Sequence, residues 1–112
     1  MIKLSICNTL KYVKHNKIRL KEDSQEKTTE IFREFFNDIR GTADGLKGHA
    51  ILENVENKRE TIVLTFWDKK EDMENYYTKD NNLLQELVEK VKPMFEQLPE
   101  RTSYKISSLE MY

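Results

Sequence analysis

Ile62-Val63-Leu64-Thr65-Phe66-Trp67 is an almost unbroken apolar run in a chain that is otherwise 35% charged and only 38% hydrophobic. Such a run, rich in β-branched and aromatic side chains, is the pattern of a strand covered on both faces. Its flanks place it. Upstream, Gly45-Leu46-Lys47-Gly48 opens a second apolar segment through Ile51-Leu52, and Glu56-Asn57-Lys58 supplies a turn. Downstream, Asp68-Lys69-Lys70-Glu71 starts a helix containing Met73, Tyr76 and Tyr77. Strands are predicted over about residues 47–54 and 60–67. On the second of them Ile62, Leu64 and Phe66 face one way, Val63 and Trp67 the other. Helices cover one of those faces. A second sheet, from a partner chain, is expected over the other, because soluble monomers rarely leave a large apolar patch open.

Towards the N-terminus, Ile2, Leu4 and Ile6 alternate with Lys3, Ser5 and Cys7, which predicts a first strand with Asn8 continuing its apolar face. Leu10-Lys11-Tyr12-Val13 and Ile18-Arg19-Leu20 flank His15-Asn16, a possible turn; a short hairpin and a prolonged first strand both fit. Ile31, Phe32, Phe35, Phe36 and Ile39 form a helical stripe, so a helix is expected over about residues 24–40. Asp23 and Glu26 resemble a capping box, and Arg40-Gly41 suits the helix end. Past residue 77, Asp80 is expected to cap a helix carrying Leu83, Leu84, Leu87, Val88, Val91, Met94 and Phe95, with Pro93 inside the pattern kinking or restarting it. Tyr104, Ile106 and Leu109 are assigned to a final strand. The order is β-α-β-β-α-β, an α+β ferredoxin-like antiparallel sheet with helices on one face.

At 112 residues the chain, 1–112, reads as a single domain. The net charge of −1 is spread over 19 basic and 20 acidic residues without a basic stripe, which argues against nucleic acid and membrane surfaces as partners. Cys7 is the single cysteine, so an internal disulfide is excluded, and with only two histidines no metal-ligand spacing is visible. No stretch approaches the ~20 apolar residues of a membrane span, and the N-terminus lacks a signal-peptide layout. A cytoplasmic protein is the expectation.

Three features resemble the antibiotic biosynthesis monooxygenase domain family, within the dimeric α+β barrel group. They are the glycine-bounded entry Gly45-Leu46-Lys47-Gly48, the strand end Thr65-Phe66-Trp67 running through Asp68-Lys69-Lys70-Glu71-Asp72-Met73 into a helix, and Asn8 near the end of the first strand. The resemblance implies a homodimer whose two sheets close a shared barrel. It also implies a small-molecule pocket between each subunit's sheet and helices, and oxidation of an aromatic or quinol-like substrate without metal or flavin. One branch of the family binds and degrades haem with a strand-one asparagine, a tryptophan on the helix after strand three and a histidine ligand beyond it. Asn8 matches the first position, Tyr76 falls at the second, and Gln85-Glu86 falls where the histidine is needed. A histidine-ligated haem is therefore not expected, and no cofactor is assigned.

The candidate catalytic residues are Asn8, Tyr76 and His49; the candidate substrate contacts are Trp67, Phe35 and Phe66. Each has a plainer reading. A tryptophan at a strand end is commonly a core residue. An asparagine on an apolar strand face needs a hydrogen-bond partner that the backbone can supply. His49 has the titration range of a general base but no visible partner. Two functions are compatible with this pattern: a small dimeric oxygenase, and a binding protein on the same fold without turnover.

Overall fold

The computed structural model describes residues 10–78 and 80–112. The apolar run forms strand β3 (Glu60–Trp67), and its burial alternates strictly. Thr61, Val63, Thr65 and Trp67 are buried, whereas Ile62, Leu64 and Phe66 are half-buried. β3 pairs antiparallel with β2 (Leu46–Glu53) on one side and β1 (Tyr12–Arg19) on the other; β1 in turn pairs with β4 (Glu100–Lys105). The sheet order is β2-β3-β1-β4. Asn54 shapes the turn between β2 and β3, its side-chain oxygen accepting the backbone N–H groups of Glu56 and Asn57, each at 2.9 Å.

Three helices, α1 (Gln25–Ile39), α2 (Lys70–Thr78) and α3 (Asn82–Val91), complete the chain, with a 3-10 turn over Lys92–Met94. Pro93 lies in that turn: it has no N–H with which to continue α3. The whole is α+β and ferredoxin-like, with the second helical segment split in two. The apolar stripe of α1 buries Phe32, Phe36 and Ile39 against Ile18, Leu20 and Val63 of the sheet side and Leu87 and Val91 of α3. Among the described residues no helix is long and apolar enough to cross a membrane.

The first strand departs from expectation. Tyr12–Arg19 is one continuous central strand, so His15-Asn16 is mid-strand and not a turn. Its helix-facing side reads Tyr12-Lys14-Asn16-Ile18, opposite Trp67, Thr65, Val63 and Thr61. With polar residues on both faces, the alternation that marks a strand is lost. The expected strand through Ile2, Leu4, Ile6 and Asn8 lies outside the described residues. The caps differ too. Asp23 adopts φ 60° and turns the chain ahead of α1, whose N-cap residue, Ser24, makes no side-chain capping bond. Asn81, not Asp80, caps α3, its side chain accepting the Leu84 N–H at 3.1 Å. β4 ends at Lys105, before Ile106 and Leu109.

Candidate active site

Thr65 organises the sheet side of the site. Trp67 lies two residues on, hence on the same face, and its indole Nε1–H donates to Thr65 Oγ1 at 2.9 Å. The Tyr77 hydroxyl from α2 meets the same oxygen at 2.9 Å. Tyr76 and Tyr77, adjacent on α2, both pack against the indole, with ring centroids 5.3 and 6.5 Å away. On β1, Asn16 is buried opposite Val63, and its amide donates to the Val63 carbonyl at 2.9 Å. That bond anchors a polar side chain in an otherwise apolar layer.

These groups border a cavity of about 50 Å³ between the sheet and the helices. Asn16 and Thr65 reach it from the sheet, Phe35 from α1, Tyr76 and Tyr77 from α2, and Leu84 from α3; Arg101 of β4 stands at its edge. The volume accommodates water, but an apolar cavity that holds a benzene ring is nearer ~150 Å³. A ring therefore enters only if wall side chains rotate. Tyr77, Leu84, Val88 and Arg101 also line a more open cleft of about 230 Å³ on the outer side. A larger concavity, about 620 Å³, lies elsewhere, as an open groove between α1 and β2 whose walls include Glu30, Arg33, Glu34 and Arg40. Enclosure, apolar walls and converging polar groups favour the smaller space as the site.

The electrostatics follow from burial. Burial, and then Tyr77, push the Tyr76 phenol up to about 12, with the Asn81 side chain opposing. The Tyr76 hydroxyl is itself buried without a hydrogen-bond partner among the described residues. Burial also raises the Tyr77 phenol, against the Thr65 hydroxyl, the Asn16 amide and Arg101. Both phenols are neutral donors at pH 7.

The residues singled out from the sequence separate. Tyr76 and Phe35 line the cavity. Trp67, fully buried, stands behind the tyrosines and not in the lining. Phe66 points to the opposite face of the sheet, in register with Gly48 and Val13. His49 stacks on Phe36, ring centroids 4.1 Å apart, beside the open groove; burial and then Arg40 lower its pKa. Asn8 lies outside the described residues, and the asparagine that β1 brings to the cavity is Asn16. Of the haem-branch positions, Gln85 borders the outer cleft, and His15 lies on the far face of the sheet against Tyr104. Asn16, Thr65, Tyr77 and Arg101 were not singled out beforehand. Asn16 and Arg101 are directly opposed across the β1–β4 pairing, a juxtaposition that only the sheet creates.

The family model for antibiotic biosynthesis monooxygenase matches residues 11–81. This chain belongs to that family. The match begins beside Tyr12, so it takes in β1 through α2. Solved structures share the fold. A protein from Bordetella bronchiseptica assigned as an antibiotic biosynthesis monooxygenase has a TM-score of 0.75 at 13% identity, covering 88% of this chain and 99% of that one. A similarly assigned protein from Nitrosomonas europaea gives 0.72 at 16% identity, covering 87% and 99%. A mutant of SnoaB, a cofactor-independent oxygenase from Streptomyces nogalater, gives 0.71 at 8% identity, covering 88% and 95%. No curated protein matches the sequence.

Proposed function

We propose that this family member is a small homodimeric oxygenase that oxidises an electron-rich aromatic or quinol-like molecule without metal, haem or flavin. The observation that carries the reading is the apolar cavity between sheet and helices whose walls include Asn16 and Tyr76, the Tyr76 hydroxyl being buried without a hydrogen bond among the described residues. Cofactor-independent chemistry asks for little more. The substrate loses a proton to become a phenolate or enolate, and that anion passes an electron to dioxygen. The resulting radical pair combines to a hydroperoxide, which loses water to leave a carbonyl. For an anthrone-type methylene, one oxygen atom stays in the product and the other leaves as water with both methylene hydrogens, so no external reductant is consumed. Donors held in a dry site stabilise the anion without reorganising. In this reading Asn16 and neutral Tyr76 take that role, with Phe35 and Leu84 as apolar wall.

The donor set is a poor fit to a histidine-ligated haem, since His15 and His49 lie away from the cavity. Among the described residues there is also no group of three or more His, Cys, Asp or Glu arranged to hold a metal ion. Dimerisation is supported by the helix-free sheet face, which carries Val13, Ile62, Leu64 and Phe66 together with Leu52 and Tyr104, the last two 46% and 50% exposed.

Oxygen uptake with anthrone and a naphthohydroquinone as probes tests the reading. Uptake above the uncatalysed background is expected, and Asn16→Ala should lower it by about 10²-fold, the effect of losing one anion-stabilising donor. Probes that bind but are consumed at the background rate would make the chain a binding protein without turnover.

A further inference from the structure

Lys14 on β1 and Arg101 on β4 both reach the ring of Tyr77. The Lys14 ammonium is 5.2 Å from its centroid and the Arg101 guanidinium carbon 4.9 Å. One neutral ring cannot balance two cations. Their mutual repulsion is felt: burial and then Arg101 hold the Lys14 ammonium below its usual range, with Glu74 opposing. Two carboxylates stand near, Glu74 on α2 and Glu89 on the wall of the outer cleft, yet among the described residues neither Lys14 nor Arg101 forms an ion pair. Lys14 donates instead to the Ser103 hydroxyl at 2.9 Å. Arg101 is thus left with a planar donor fork and no acceptor of matching shape.

Its position gives that fork a use. Arg101 belongs to the wall shared by the inner cavity and the outer cleft, together with Tyr77, Leu84 and Val88. A ligand lying through this wall places its apolar body against Phe35 and Leu84 and its outer end beside the guanidinium. The reacting oxygen, at Asn16 and Tyr76, is then distinct from the group held at Arg101.

We propose that the ligand of this cavity is an aromatic carboxylate, whose carboxylate docks on the Arg101 fork with Lys14 as second cation and takes no part in the reaction. The inference rests on the reading of the cavity as a small-molecule site. It assigns Arg101 to specificity: the carboxylate is held equally in the ground and transition states, so its loss raises KM and leaves kcat unchanged.

Calorimetric titration of the whole chain with 1-naphthoate and with 1-naphthamide, its uncharged isostere, is the test. The wild type should bind the carboxylate about tenfold more tightly than the amide, the scale of one charge-assisted pair. Arg101→Gln should erase that preference while moving amide affinity by less than about twofold. Arg101 is exposed on an edge strand, so the substitution leaves the core intact. Lys14→Gln, as a second variant, should reduce the preference. Equal affinity of the wild type for both ligands would overturn the carboxylate assignment and leave the small-molecule site standing, as would an Arg101→Gln loss shared equally by both. Failure of both ligands to bind the wild type would overturn the small-molecule reading and this inference with it.

Discussion

The Tyr76 and Tyr77 hydroxyls, one residue apart on α2, differ in their partners: Tyr77 meets Thr65, and Tyr76 meets none among the described residues. Thr65 Oγ1 serves both the Trp67 indole and the Tyr77 hydroxyl, all within the core. Thr65→Val keeps the shape and strands both partners, which should cost about 1–3 kcal/mol in denaturant unfolding. The Tyr76 hydroxyl has no partner among the described residues, so Tyr76→Phe removes a desolvated group that returns nothing to the free protein. Its stability should stay level or rise by up to about 1 kcal/mol, while oxygen uptake falls. Equal destabilisation by the two substitutions would show that Tyr76 is structural. The phenol also sets a pH dependence. Its folded pKa, about 12, lies above the ordinary value of 10, so the folded state favours the protonated form. The stability this contributes is complete below about pH 10 and is lost as pH rises towards 12. Urea unfolding across that window should show a shallower loss for Tyr76→Phe than for the wild type.

The glycine-bounded entry to β2 shows how one element is fixed. Gly45 has φ +76°, and a Cβ there would run into the Asp72 side chain on α2. At Gly48 a Cβ would meet only the Phe66 ring, at an ordinary 3.8 Å. Gly45→Ala should therefore cost about 1–3 kcal/mol, and Gly48→Ala clearly less, in parallel thermal melts. The reverse order would mean that the second glycine, at the β-bulge, sets the junction. Elements of this kind are legible where a single face is apolar. β3 and α1 were readable from the residues alone because their stripes are clean. β1 was not: Lys14 and Asn16 share its inner face with Ile18, while the Ile2-Leu4-Ile6 alternation upstream offers a more regular pattern. The same property hid the site. Tyr76 and Phe35 lie on helices whose periodicity points them inward. Asn16 and Arg101 come together only when β1 and β4 pair, from opposite ends of the described chain, and no local pattern records that.

For the whole molecule, the sheet leaves one face without a helix, and a second copy is the partner proposed for it. Sedimentation should give a species of twice 13.4 kDa. Leu64→Glu, at the centre of that face, should shift it to monomer, since a charge buried without a partner is not tolerated in an apolar interface. A wild-type monomer at micromolar concentration would remove the dimer from the account. The cavity lies on the other side of the sheet, within one chain, so the chemistry and the association can be tested separately. The central claim is that the cavity bordered by Asn16 and Tyr76 inserts one atom of dioxygen into an aromatic substrate. Mass spectrometry of the anthrone product formed under ¹⁸O₂ in ordinary water addresses it directly. The account predicts enzyme-dependent formation of a product carrying one ¹⁸O atom; product formed no faster than without protein, or carrying oxygen from water alone, would contradict it.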